Sequence, residues 1–126
     1  MKIISMLLIL ITMVFGCKKK VSPDCLRARI VRTTCASIVM QALNNNSIGE
    51  DNWKDVFDNN THYDNAFAIS NPCGLPSGYK VGDVVYITIA KATTSDCIRC
   101  ALYDAPPLIS YDIKAIGKFP CDEESK

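Results

Sequence analysis

Polar and apolar positions alternate with a period of two along much of this chain, most clearly in VGDVVYITIAK at residues 81–91. There Val85, Ile87 and Ile89 fall on one side and Val84, Tyr86 and Thr88 on the other, which predicts a strand. Both sides carry apolar groups, so this strand is expected to be central. The last regular stretch sets Ile109, Tyr111, Ile113 and Ala115 against Ser110, Asp112 and Lys114, a strand with one buried and one wet face. Near the start, RARIVRTTCASIVMQAL puts Arg27 and Arg29 opposite Leu26, Ala28 and Ile30. Its second half also fits a helical stripe through Cys35, Ile38, Val39 and Ala42; the β-branched content favours two strands bending near Cys35. AFAIS, ended by Asn71 and Pro72, is a further short strand.

The segments between these strands read differently. In NNNSIGED, Ser47 and Glu50 have capping-box spacing, and Trp53, Val56 and Phe57 form a short apolar face. Together they predict one or two helical turns, with Trp53 as a lid over the core. DNNTHYDN is expected to be loop, and CGLPSGYK a turn region. Pro106 and Pro107 form a rigid entry to the final strand.

One apolar run has no alternation. Ile3 to Phe15 is interrupted only by Ser5 and Thr12, follows Lys2, and is shorter than the ~20 residues a helix needs to cross a bilayer. That is the length of a signal-peptide core, so residues 1–16 are expected to be a cleaved leader. The residues Val14, Phe15, Gly16 and Cys17 resemble the bacterial lipobox, in which a small residue precedes a cysteine that is acylated on sulfur. The resemblance implies a bacterial lipoprotein with Cys17 as the lipidated residue, a tether over residues 17–24 and a membrane anchor carrying fatty acid such as palmitate. The competing reading is an uncleaved anchor, or a leader cut elsewhere, with Cys17 an ordinary thiol; the positive charges of Lys18, Lys19 and Lys20 just after the apolar run lend it support.

Removing the leader changes the charge picture. The whole chain of 126 residues has a formal net charge of +1, and residues 17–32 hold six basic side chains against Asp24 alone. Residues 33–126 hold seven basic side chains against twelve acidic ones, so a basic stem leads an acidic body. An acidic body lacks the cationic groove that nucleic-acid binding needs, which places that function last.

Seven cysteines leave an odd thiol in an exported protein. Acylation of Cys17 leaves Cys25, Cys35, Cys73, Cys97, Cys100 and Cys121, enough for three disulfides in an oxidising compartment. Fifteen pairings are open; a Cys25 to Cys121 bridge would close nearly the whole domain. Cys97 and Cys100 have C-x-x-C spacing, which raises thiol-disulfide exchange as an alternative function. That chemistry calls for a helix opening at the motif, whereas turn-forming residues flank it here. A zinc site lacks its ligand set, because His62 is the only histidine and no second C-x-x-C exists. No cofactor or metal is expected.

Five or six short strands, the KVGD turn before a long strand, and cysteines at both ends of the domain make the region from Cys25 to Cys121 similar to the small OB-like or β-sandwich domains of exported bacterial lipoproteins. The expected architecture is therefore mainly β: an OB-like barrel or sandwich over residues 25–121 with one short helix, stapled by disulfides and followed by a polar tail at 122–126. The chain contains no G-x-S-x-G, H-E-x-x-H or phosphate-binding glycine loop, and Asp55, Asp58 and Asp64 read as solvated loop acids. The expected function is thus a non-enzymatic binding or structural module of the bacterial cell envelope, lipid-anchored at the outer membrane and facing periplasm or surface. Tyr63, Tyr79 and Tyr103 are its candidate contact residues for an envelope protein or glycan.

Overall fold

The structure is a computed structural model that describes residues 25–121. The leader, the lipidation candidate Cys17, the tether and the polar tail lie outside the described residues. Seven strands follow one another: β1 (Leu26–Thr33), β2 (Ile38–Ala42), β3 (Trp53–Asp55), β4 (Thr61–Tyr63), β5 (Ala66–Ile69), β6 (Val84–Lys91) and β7 (Ser110–Gly117). Five of them close a barrel in the order β1-β2-β5-β7-β6, while β3 and β4 form a separate hairpin. All barrel pairings are antiparallel except β5 with β7. The OB-like barrel, rather than the sandwich, is thus the architecture. Closure leaves none of the five barrel strands as an edge for another chain to extend.

Alternation selects the barrel interior. Leu26, Ala28 and Ile30 of β1, Ile38, Met40 and Ala42 of β2, Phe67 and Ile69 of β5, and Val85 and Ile87 of β6 form one buried cluster. The ring of Tyr111 meets that of Phe67 edge-on at 5.5 Å between centroids, closing the core from the β7 side. β6, expected to be central because both of its faces carry apolar groups, lies between β1 and β7 in the barrel. Val85 and Ile87 are fully enclosed, and Val84, Tyr86 and Thr88 on the outer side are only half-buried.

Two bulges interrupt the alternation, and neither is visible in the sequence pattern. Between β6 and β7, Thr88 pairs with Ala115 but Ile89 pairs with Ile113, so Lys114 is an extra residue and the phase of β7 slips. Ile116 then packs against the core, and Ala115, expected inside, is exposed. In β1 the register jumps between Ile30 and Arg32, leaving Val31 without its own partner. Three consecutive side chains, Ile30, Val31 and Arg32, are buried in consequence. Ile30 faces the barrel interior, and Val31 belongs to a second cluster outside it with Val39, Trp53 and Ala66.

That outer cluster corrects two expectations. Residues 47–57 form no helix: Trp53–Asp55 is strand, paired with Thr61–Tyr63 in the region expected to be loop. Gly49 sits at φ +82° and Asn52 at φ +57°, outside the helical region, and a Cβ at Gly49 would lie 2.5 Å from the Asn65 backbone. The hairpin turns through Asn59 and Asn60, both at positive φ, where asparagine is better tolerated than most residues. A helix would have laid Trp53 over one end of the core. The hairpin instead presses it flat on the outer wall of β1, β2 and β5, where it is 6% exposed. The only helical element among the described residues is a 3-10 turn at Pro72–Gly74.

Candidate binding surface

The surface is dominated by the connection between β6 and β7, residues 92–109, which acts as a strap across the outside of the barrel. Its fastenings occur in order along the chain. Thr93 donates to the Asp112 carboxylate, and Cys97 is bonded to Cys73 after β5. Arg99 donates to the Ser70 carbonyl. Cys100 is bonded to Cys35 in the turn between β1 and β2. Ala105 accepts a hydrogen bond from Trp53 Nε1 at 3.1 Å, and Leu108 N donates to the Glu50 carboxylate at 2.9 Å. The third bridge, Cys25–Cys121, joins the two ends of the domain as the sequence allowed.

The sulfurs of Cys97 and Cys100 are therefore committed to different partners, Cys73 and Cys35, and no helix follows them. Their spacing serves to anchor one strap at two places on the barrel.

Midway along the strap, Asp104 is drawn into a buried polar network. Its carboxylate accepts from the hydroxyls of Thr34 and Ser37, the latter at 2.6 Å, and lies 3.5 Å from Arg32 Nη2. Arg32 Nη1 donates to Asp55 at 3.1 Å, and the guanidinium carbon lies 4.8 Å from the Trp53 ring centroid and 5.7 Å from that of Phe57. Arg32, Asp55 and Asp104 are each at most 5% exposed. Burial pushes the Asp104 carboxyl up, but the Ser37 and Thr34 hydroxyls and the Arg32 charge together outweigh it and hold the group below its usual range. Asp55 is thus no solvated loop acid, which corrects the sequence reading. The β3 register buries it, and the bulge at Val31 delivers Arg32 to meet it. Asp58 and Asp64 are exposed, as expected.

Pinned in this way, the strap still turns large apolar side chains outward. Ile98 is 96% exposed, Leu108 94%, Tyr103 85% and Leu102 45%. Of the three candidate contact tyrosines, only Tyr103 stands in solvent. Tyr79 packs against the barrel core, and Tyr63 lies against Trp53 with ring centroids 6.1 Å apart. The three tyrosines thus have different settings, one on the barrel core, one on the hairpin tryptophan and one free in solvent on the strap.

A concave feature lies over the outer face of β1, between the hairpin and the turn at Val81 and Gly82. It is an open groove of about 430 Å³ walled by Phe57, Asp58 and Tyr63 on one side and Val81 on the other, with Arg29 and Val31 on its floor. Tyr63 donates from its hydroxyl to Asp58 at 3.3 Å. Burial, followed by the charge of Asp58 and that hydrogen bond, raises the Tyr63 pKa and keeps the phenol protonated. Hydrogen bonds from the hydroxyls of Ser70 and Thr93 hold the Asp112 carboxyl, like that of Asp104, below its usual range.

No protein family and no curated protein matches this chain.

Proposed function

We propose that this protein is a lipid-anchored, non-enzymatic binding module of the bacterial cell envelope, and that the strap is the surface it offers to an envelope protein. One observation carries the reading: Ile98 and Leu108 are 96% and 94% exposed on a segment that two disulfides and a buried ion cluster hold in place. An exposed apolar group on a mobile loop loses entropy when it docks. On a fixed strap that cost is already met in folding, so the side chains are presented in a set geometry. Ile98, Leu102, Tyr103 and Leu108 are all exposed within eleven residues of this strap, and a concentration of exposed apolar groups is what marks a contact surface.

The envelope location is supported by the lipobox-like residues before Cys17 and by the cysteine count, since six remaining cysteines form three bridges suited to an oxidising compartment. The tether of residues 17–24 would hold the barrel near the lipid surface. An intact mass of protein extracted from membranes tests the anchor: the expected species begins at Cys17, carries acyl chains, and gains six hydrogen atoms, two per disulfide, when a thiol reductant acts under denaturing conditions. A water-soluble, unlipidated product starting elsewhere would refute it. Site-specific photo-crosslinking in whole cells tests the strap. A photoreactive residue at position 98 or 108 is expected to give one discrete adduct that Leu102→Asp abolishes, whereas the same residue at the exposed Arg27, at the end of β1 away from the strap's anchor on Cys35, gives none.

A further inference from the structure

Beyond the anchored-module reading, and independent of the strap, we infer that the groove over β1 is a binding site for a neutral glycan, with Phe57 as the stacking platform for a sugar ring. Phe57 is 58% exposed, unusual for phenylalanine in a hairpin turn, yet its ring is not loose. The buried Arg32 guanidinium lies 5.7 Å from its centroid and is held in turn by Asp55, so one side of the ring is anchored within the protein while much of it remains open to solvent. The backbone is fixed as well, because Phe57 N donates to the Asp55 carboxylate at 3.0 Å. An immobilised aromatic ring facing solvent beside a cleft is what the apolar C–H face of a pyranose can cover.

The polar groups around it suit hydroxyl recognition. The exposed Arg29 has no hydrogen bond or ion pair from its guanidinium among the described residues. Asp58 uses Oδ2 to accept from Tyr63, which leaves Oδ1 free, and the tyrosine oxygen can itself accept. Donor and acceptor side chains side by side are the complement of vicinal hydroxyls, each of which both donates and accepts.

Charge decides between ligand classes. Among the residues lining the groove, Arg29 and Arg32 offset Asp55 and Asp58, and Asp104, the second carboxylate on Arg32, lies outside the lining on the Thr34 and Ser37 hydroxyls, so the groove surface offers little net charge to a phosphate or to a quaternary ammonium. A peptide strand would seek backbone partners, but β1 is already hydrogen-bonded on both sides, to β2 and to β6. A neutral polyol with one apolar face remains.

The test is titration of the isotopically labelled domain, disulfides intact, with chitotetraose, maltoheptaose and cellohexaose in turn, followed by NMR. At least one is expected to shift the amides of Phe57, Asp58, Tyr63 and Val81 and to perturb the indole of Trp53, the single tryptophan, through the shared Arg32. Phe57→Ala is expected to weaken that binding about tenfold, the loss of roughly one ring face of apolar contact. Asp58→Asn is expected to weaken it while leaving the amide spectrum elsewhere unchanged, and inorganic phosphate and choline are expected not to compete. The inference is overturned if none of the three sugars shifts the groove at millimolar concentration, if the shifts map away from it, if phosphate or choline displaces the sugar, or if a folded Phe57→Ala protein binds as well as the parent.

Discussion

Arg32 and Trp53 lie on strands 21 positions apart in sequence and meet with the guanidinium carbon 4.8 Å from the indole centroid, both side chains buried. The contact joins the barrel to the hairpin, and through Asp104 the same guanidinium holds the strap. Arg32 is therefore the point where three parts of the domain converge. Its Nε has no partner among the described residues, so the network is already short of full satisfaction.

Truncating this residue should be costly. Arg32→Ala leaves Asp55 and Asp104 buried without their cation, for an expected loss of about 3 to 5 kcal/mol in urea denaturation. Arg32→Lys should recover little, since an ammonium cannot reach both carboxylates while stacking on an indole. Arg32→Met combined with Asp55→Leu should be milder than Arg32→Ala, because it removes the uncompensated charge at Asp55 and leaves only Asp104, which keeps the hydroxyls of Thr34 and Ser37.

Acid should loosen the strap first. Asp104 has a folded pKa below its unfolded value, so it contributes stability that is complete above the ordinary carboxylate range and is lost as pH falls through the folded value. The unfolding midpoint is expected to decline from about pH 5 downward, with amide exchange rising in residues 101–107 before the barrel strands. Asp104→Asn should flatten that acid limb. An unchanged limb would show that the carboxylate is not the group being titrated.

The disulfides should behave as a framework. The Cys35–Cys100 bridge closes a separation of 65 residues and Cys73–Cys97 one of 24. The chain-entropy model gives about 4 and 3 kcal/mol for these, so replacing either pair by serine should destabilise by a few kcal/mol, the longer loop more. Alkylation under mild reductant should leave all six cysteines of the domain unlabelled until denaturant is added. Rapid labelling of Cys97 or Cys100 in the native protein would instead favour thiol exchange.

Two glycines separate strain from collision. Gly49 and Gly78 both have positive φ, at +82° and +100°, but a Cβ at Gly49 meets the Asn65 and Ala66 backbone within 2.7 Å while one at Gly78 meets nothing within 4 Å. Gly78→Ala should cost about 1 to 2 kcal/mol from backbone conformation alone. Gly49→Ala should cost clearly more, since strand β5 would have to move. Equal costs would mean the hairpin connection yields more easily than its packing implies.

Much of this domain was legible from side-chain period. The strands at 26–33, 38–42, 66–69, 84–91 and 110–117 follow from alternation and β-branched content, because burying one face of a strand constrains every second residue locally. The hairpin was not legible. Its strands are three residues each, too short for a period, and the spacing of Ser47, Glu50 and Trp53 fits a helix equally well. The asparagine pair at 59–60 between WKD and THY was the one signal that could have found it.

Taken alone, the order of residues determined which five segments become the barrel strands, that six domain cysteines were available to pair, and that charge divides into a basic stem and an acidic body. Those are properties of neighbours along the chain. Closure of the barrel, the pairing of Cys97 and Cys100 with separate partners, and the meeting of Arg32 with Asp55, Asp104 and Trp53 were decided only in three dimensions. A one-residue bulge reverses the facing of every side chain after it, and its position is set by how β1 and β2 fit together rather than by the residues of either strand alone.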